Sequence, residues 1–379
     1  MEILNQIQHY GFWFLVVLTV LVFIHELGHF AVARWCKVRV EVFSIGFGPE
    51  LFGWTDRTGT RWKFSWLPLG GYVRMFGQDE NVIEGEAARP MTDAERSVSF
   101  KHKTVGQRMA IVFAGPAANY ILAFAIFTAL YAIGGKQVIP PVIGKVFAES
   151  PAARAGIAPG DTVVKVDGTE IESFFDIQYV VQSSLGKMLT IDLTRNGAPV
   201  RVQVQPGEVT TKDASGKETT FVGLGFGLAE DVKSVTKNLS LGESVVVAGS
   251  DIYRGTVGTL KGLWQMVTGL RSTDEIGGVL RIAKMSGDVA QVSLVSLIAF
   301  AGALSINLGL INLFPVPMLD GGHLVYYAVE AVRGKPLGER AQEFGLKVGL
   351  ALVLSLMLFA TWNDLVYLKV VDFVKSLFT

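Results

Sequence analysis

Four stretches of this chain stay apolar long enough to cross a bilayer, and that constrains the fold more than any other feature. They run roughly from Gly11 to Ala33, Met109 to Ile133, Val292 to Phe314 and Lys347 to Tyr367. A spanning helix needs about 20 mainly apolar residues. No water reaches the hydrocarbon core, so each backbone amide and carbonyl must be satisfied within the segment, which predicts an α-helix for every stretch. Half of the 379 residues are hydrophobic, 18% are charged, and the mean hydropathy is +0.40, a poor fit to one soluble globule. The formal net charge is zero. The expected environment is therefore the lipid bilayer, with no nucleic-acid partner.

Orientation follows from the basic residues. None precedes the first stretch, whereas Arg34, Lys37, Arg39, Arg57, Arg61, Lys63 and others up to Lys103 follow it. This places the N-terminus outside and the first loop in the cytoplasm. By alternation the segment from Gly134 to Gln291 and the C-terminus lie outside, and Pro315 to Gly345 inside. The first stretch lacks the basic start and small-residue cleavage site of a secretory signal, so it is expected to remain as an anchor. Cys36 is the single cysteine and reads as a small apolar residue.

Between the first two spans, Val40 to Met75 reads as short strands with turns at Gly46, Gly48, Gly53, Gly59 and Gly70-Gly71, a small sheet against the membrane face. Gln78 to Lys103 is a polar loop with one short helix capped near Thr92 and Asp93. Pro140 to Pro206 forms a soluble α+β module. It has a strand at Val142 to Val146, a short helix at Pro151 to Gly156, a second helix at Phe174 to Leu185 and a closing hairpin across Asn196-Gly197. Asp213 to Lys217 reads as a flexible connector. Leu241 to Leu270 is too interrupted to span, yet amphipathic enough to lie on a membrane surface or on the other domain.

The chemistry sits in the first span. Phe23-Ile24-His25-Glu26-Leu27-Gly28-His29 places an H-E-x-x-H pattern inside an apolar helix. Residues i and i+4 share a helix face, so His25 and His29 can ligate one zinc ion with Glu26 beside them. Zinc lowers the pKa of its water to about 7 and polarises a carbonyl. Glu26 is placed to take the water's proton and pass it to the leaving amine. Ionisable groups this deep in a membrane are costly and face a functional interior. A catalytic zinc site needs a third protein ligand, and spacing does not select it among Asp320, His323, Glu330 and Asp364. Asp320 is favoured because it follows a span broken by Pro315 and Pro317, and irregular backbone at that depth lines a cavity. Iron or cobalt suits such donors too. His102 and His323 read as surface groups or as groups behind the ligands.

These residues resemble the site-2 proteases, and within them the bacterial regulator of sigma E protease type, over nearly the whole chain. His25 to His29 is similar to the family's zinc motif. Asn312 to Gly321 is similar to its second motif, which implies that the third ligand is Asp320. Ser44 to Pro49 and Pro68 to Val73 resemble its membrane-associated loops, and Gly115-Pro116-Ala117-Ala118-Asn119 its second-span motif. As a bare dipeptide, Gly115-Pro116 is a common helix start. The outer module resembles a PDZ domain, a single copy where the enterobacterial pattern has two in tandem.

The resemblance implies a polytopic α-helical membrane protein with four transmembrane helices, a small membrane-associated β-sheet and an inserted α+β PDZ-like domain. The expected division is residues 1–134 and 291–379 as the two halves of the protease core, 135–208 as a periplasmic PDZ domain, and 209–290 as connector and amphipathic helices. The implied activity is cleavage within the transmembrane segment of single-pass proteins, such as an anti-sigma factor already trimmed by an upstream site-1 protease, or remnant signal peptides. The implied location is a bacterial inner membrane, with both termini and the PDZ domain periplasmic and the active site near the cytoplasmic side.

A segment held in its own helix must unwind before water reaches a peptide bond, and its freed backbone groups need partners. Strand addition at Gly70, Gly71 and Tyr72 offers them. Asn312 is a candidate to bond the opened backbone, with Pro315 and Pro317 fixing the chain that bears Asp320. The PDZ-like module is expected either to hold a chain terminus at Ile143 and Gly144 or to act as a bulky cap that excludes substrates with large outer domains. Two other readings compete: a membrane-anchored peptidase acting on soluble peptides, which predicts a metal motif outside the span, and a non-proteolytic PDZ-bearing scaffold, which predicts loss of Glu26 or a ligand.

Overall fold

The computed structural model describes residues 2–78, 91–212, 218–229 and 232–368. The connector expected at Asp213 to Lys217 lies outside the described residues, as do residues 79–90 of the polar loop that starts at Gln78. The chain divides into two compact units: residues 1–127 with 274–379, and residues 128–273. Among the described residues, four helices are long and apolar enough to cross a membrane.

Helix α1 (Glu2–Trp35) leads into two long strands, β1 (Val40–Thr55) and β2 (Arg61–Met75). The strands were expected to be short and separated by glycine turns. Instead Gly46 and Gly48 adopt φ of +88° and +89° inside β1 and bend it without ending it. The two strands fold into a sheet of four rungs, because residues 42–45 pair on one side with 71–74 and on the other with 61–64, which also pair with 52–55. Aromatic cross-strand contacts hold it: Phe43 stacks on Trp62 at 4.3 Å and Phe52 on Phe64 at 4.5 Å. Helix α2 (Asp93–Val98) starts at the expected Thr92 cap, with a reciprocal Thr92–Glu95 capping box.

Helix α3 (Val105–Gly134) runs unbroken through Pro116, so the Gly115-Pro116 pair lies inside a span and does not start one. Small residues let α1 and α3 approach: a Cβ at Gly28 would overlap the Ala114 carbonyl oxygen.

The second unit holds β3 (Lys136–Val138), β4 (Ile143–Val146), α4 (Pro151–Arg154), β5 (Thr162–Val166), β6 (Thr169–Glu170), α5 (Phe174–Gln182), β7 (Leu189–Arg195), β8 (Ala198–Val204), β9 (Gly207–Lys212), β10 (Glu218–Gly223), β11 (Phe226–Leu228), β12 (Val235–Lys237) and α6 (Leu241–Val267). Its main sheet has the order β6-β5-β7-β8. The β7–β8 hairpin turns at Asn196-Gly197, with φ of +50° and +82°, as the dipeptide predicts. Ile143, Val163, Val166, Ile177, Leu189, Ile191 and Leu193 form its buried core. The module extends past the expected limit at 208, because β11 pairs with β4.

Helices α7 (Val279–Val292), α8 (Leu294–Asn312), α9 (Asp320–Arg333) and α10 (Glu339–Tyr367) complete the first unit. α7 was expected to belong with the outer segment. It packs against α1 instead, where Gly287 lies under Tyr10 and the Gly287 carbonyl accepts a hydrogen bond from His9 Nε2 at 3.1 Å.

Candidate metal centre

His25 and His29 project from one face of α1 and are each 9% exposed. Their Nε2 atoms lie 3.2 Å apart. Each ring turns its Nδ1 toward α3. His29 Nδ1 donates to the Ile111 carbonyl at 2.8 Å, and His25 Nδ1 lies 3.1 Å from the Asn119 side-chain amide. Gly115 sits between these two contacts, and a Cβ there would overlap His29 Nε2.

Asp320 opens α9 and brings Oδ2 to 3.1 Å from His25 Nε2 and 3.5 Å from His29 Nε2. The turn before it is tight. Met318 takes φ of +100°, a region non-glycine residues rarely adopt, and Cβ atoms at Gly321 and Gly322 would overlap the carbonyls of Leu313, Phe314 and Val316. These backbone constraints leave little freedom in where Asp320 points.

The donor set suits zinc. Nitrogen and oxygen ligands about 2.0–2.1 Å from a tetrahedral ion stand about 3.3–3.4 Å from one another, close to the 3.1, 3.2 and 3.5 Å found here. Asp320 Oδ2 is buried without a hydrogen-bond donor, as a ligating oxygen should be. Among the described residues, His25, His29 and Asp320 form a group able to hold a metal.

The other third-ligand candidates are committed elsewhere or turned away. Glu330 receives both Arg108 Nη atoms at 3.1 and 2.6 Å. Asp364, fully buried, accepts from the Gly278 and Arg281 amides at 2.9 and 3.0 Å, at the N-terminus of α7. His323 is exposed and meets Tyr326 edge-on at 6.3 Å.

Glu26 is half-buried beside the sheet. A Cβ at Gly71 would stand 3.1 Å from Glu26 Cγ, and the Val73 backbone hydrogen-bonds the carboxylate. Gly71 and Val73 thus face α1, while the Tyr72 ring turns to Phe47, 6.1 Å away. Gly70, at φ of +130°, also lies against Phe47. Asn312 ends α8 and is half-buried. Pro317 packs against Gly345 and Gly349 of α10, whereas Pro315 is exposed.

Ile143 and Gly144 are not open to a peptide. Ile143 exchanges backbone hydrogen bonds with Gly160 and Asp161 on one side and pairs with Leu228 on the other; Gly144 is covered by the Ala229 backbone. The expectation failed because β11, distant in sequence, takes the edge that β4 was thought to offer. Sequence reasoning also missed the contacts of Ile111 and Asn119 with the histidines. A lone asparagine in an apolar span was the available signal.

The model of peptidase family M50 matches residues 13–356. A Rhizobium meliloti protein bearing the name "putative zinc metalloprotease" is 41% identical over 369 residues, covering 97% of this chain and 99% of its own. A Rickettsia conorii protein of the same name is 37% identical over 352 residues, covering 93% and 97%. The Caulobacter vibrioides metalloprotease MmpA is 36% identical over 390 residues, covering 96% and 97%. With the match extending across both histidines, the aspartate and the helices that carry them, the chain belongs to peptidase family M50 and is a zinc metalloprotease.

Proposed function

We propose that His25, His29 and Asp320 hold the zinc, that Glu26 is the general base, and that the enzyme cleaves a peptide bond within a transmembrane segment of a single-pass membrane protein. The observation that carries this reading is the convergence of the three donor atoms, 3.1–3.5 Å apart, on side chains of which two belong to a helix apolar enough to span a membrane. Bound zinc supplies an electrophile for the scissile carbonyl and makes water acidic enough to attack near neutral pH. Glu26 takes the proton of the attacking water and delivers it to the departing amine nitrogen. Gly71 and Val73, facing Glu26, lie on the outer rung of the β1–β2 sheet, where an unwound substrate can add as a strand; the backbone beside Gly70 and Tyr72 extends that rung. In this reading Asn312, Pro315 and Pro317, on the chain that leads to Asp320, also contact the substrate.

Suitable substrates are an anti-sigma factor already trimmed by an upstream site-1 protease, or a remnant signal peptide. The setting is a bacterial inner membrane, with both termini and the PDZ-like module periplasmic and the site nearer the cytoplasm. In that module an extended chain terminus fits β11 better than β4. Among the described strands, β11 pairs on one side alone, after Gly225 at φ of +80°, and Phe226 meets Phe174 of α5 at 6.1 Å.

The test uses purified full-length protein in detergent with a tagged, pre-trimmed single-pass substrate. Wild type should cut within the apolar segment. Glu26→Gln should keep zinc and lose at least about 100-fold in rate, and Asp320→Ala should lose both. Cutting by Glu26→Gln at the wild-type rate would remove Glu26 from its role.

A further inference from the structure

Asn119 is the one asparagine in the interior of α3, and it is fully buried. Its backbone carbonyl accepts from Ser305 Oγ of α8 at 2.8 Å. The carboxamide ends 3.1 Å from His25 Nδ1 with Nδ2 as the nearer atom, and Oδ1 has no partner. The oxygen and nitrogen of such an amide are assigned by the hydrogen bonds they make.

Ligation decides between the two orientations. His25 presents Nε2 to Asp320 and to His29, so a ring that ligates through Nε2 carries its proton on Nδ1. That proton needs an acceptor, and Nδ2 is not one. His29 solves the same problem with the Ile111 carbonyl, on the same helix α3. We infer that Asn119 is a positioning residue for the metal centre: its Oδ1 accepts the His25 Nδ1–H, holding the ring in the tautomer and rotation that aim Nε2 at the metal. The turned amide leaves Nδ2 where Oδ1 now stands, so one atom lacks a protein partner in either orientation. The choice is made by the ligand, whose lone pair is available in one orientation alone. Helix α3, which contributes no ligand, thereby fixes both histidines from behind.

The inference rests on the zinc-ligand reading proposed above, and its test reads metal affinity, not cleavage. Full-length protein in detergent is titrated with Zn2+ against a chelator of known affinity, for wild type, Asn119→Leu, Asn119→Asp and Ser305→Ala. Asn119→Leu keeps the volume and removes the acceptor, so it should bind zinc roughly 10- to 100-fold more weakly. Asn119→Asp keeps an acceptor oxygen and should hold zinc as tightly as wild type. Ser305→Ala, which loosens the α3–α8 contact alone, should leave affinity unchanged. Zinc-edge X-ray absorption should count one imidazole fewer in the leucine variant than in wild type. If Asn119→Leu fails to fold, Asn119→Ala takes its place in the comparison with Asn119→Asp. Equal affinity for wild type and the acceptor-free variant, or an aspartate variant as weak as that one, overturns the inference. A wild-type protein that binds no zinc would instead sink the ligand assignment itself.

Discussion

His29 Nδ1 donates to the carbonyl oxygen of Ile111 at 2.8 Å, so a backbone atom of α3 sets the orientation of a side chain on α1. A carbonyl can only accept, which leaves the His29 Nε2 lone pair available to the metal in the ligand set proposed above. The approach of the two helices that makes this contact possible depends on Gly28 and Gly115. Substituting Gly115→Ala drives a methyl group into His29 Nε2. Zinc stoichiometry and cleavage should both fall at least about tenfold, against a smaller change in far-UV helicity. A Gly115→Ala enzyme with full zinc and full rate would show that the ring can move aside.

Arg108 and Glu330 form a two-pronged ion pair, with the two side chains 12% and 14% exposed, and Arg108 also lies over the Tyr327 ring at 4.8 Å. The pair ties α3 to the helix whose first residue is Asp320. Removing one partner of a buried pair costs about 3 kcal/mol, whereas replacing both with apolar groups of similar volume costs far less. Thermal unfolding of Arg108→Met, Glu330→Met and the double variant should show the double variant more stable than either single one. Simple addition of the two losses would rule out coupling.

Asp364 is tied to the N-terminus of α7, where both carboxylate oxygens already accept backbone amides. Asp364→Ala should destabilise the first unit by about 3 kcal/mol, by stranding the Gly278 and Arg281 amides. Zinc content of the folded fraction should match wild type. A variant that is stable yet empty of zinc would make Asp364 a ligand after all.

In the second unit, the Arg195 guanidinium holds the Asp161 carboxyl below the usual carboxylate range, through contacts of 2.7 Å to both oxygens. A folded-state pKa below the unfolded value of about 3.9 adds stability that is complete above that value and is lost as pH falls through the folded one. Hydrogen exchange of β5 and β7 in the full-length protein should therefore stay protected down to about pH 4 and weaken below it. Asp161→Asn should be less protected at pH 7 and flatter toward acid. Parallel acid profiles for the two proteins would mean that another group governs.

The spans and the two histidines were legible because hydropathy and i, i+4 spacing are local properties. The capping box at Thr92 and the Asn196-Gly197 turn were legible for the same reason. Asp320 was favoured by the break at Pro315 and Pro317, yet spacing left His323, Glu330 and Asp364 open beside it, because what places Asp320 is a strained Met318 backbone and carbonyls packed on Gly321 and Gly322, none of which has a periodic signature. α7 was assigned to the wrong unit, since amphipathicity shows that a helix has an apolar face and does not say which neighbour covers it. Ile143 and Gly144 were misread because strand pairing between β4 and β11 spans about 80 residues of chain, and such pairings leave no local trace.

The four-rung fold of β1 and β2 has a consequence for solvent. Residues 42–45 and 61–64 are flanked on both sides, so residues 71–74 form a rim whose outward amides and carbonyls meet no other described strand. Gly71 faces Glu26, so that rim reaches the level of a residue inside a helix apolar enough to span. Bare peptide groups in hydrocarbon cost several kcal/mol each. Between turnovers the rim therefore favours a hydrated crevice over lipid, and the hydrating molecules are the co-reactant of hydrolysis. On the strand addition proposed above, the same groups that receive an incoming chain keep water beside the proposed metal centre, and an arriving substrate displaces only those molecules its own backbone replaces.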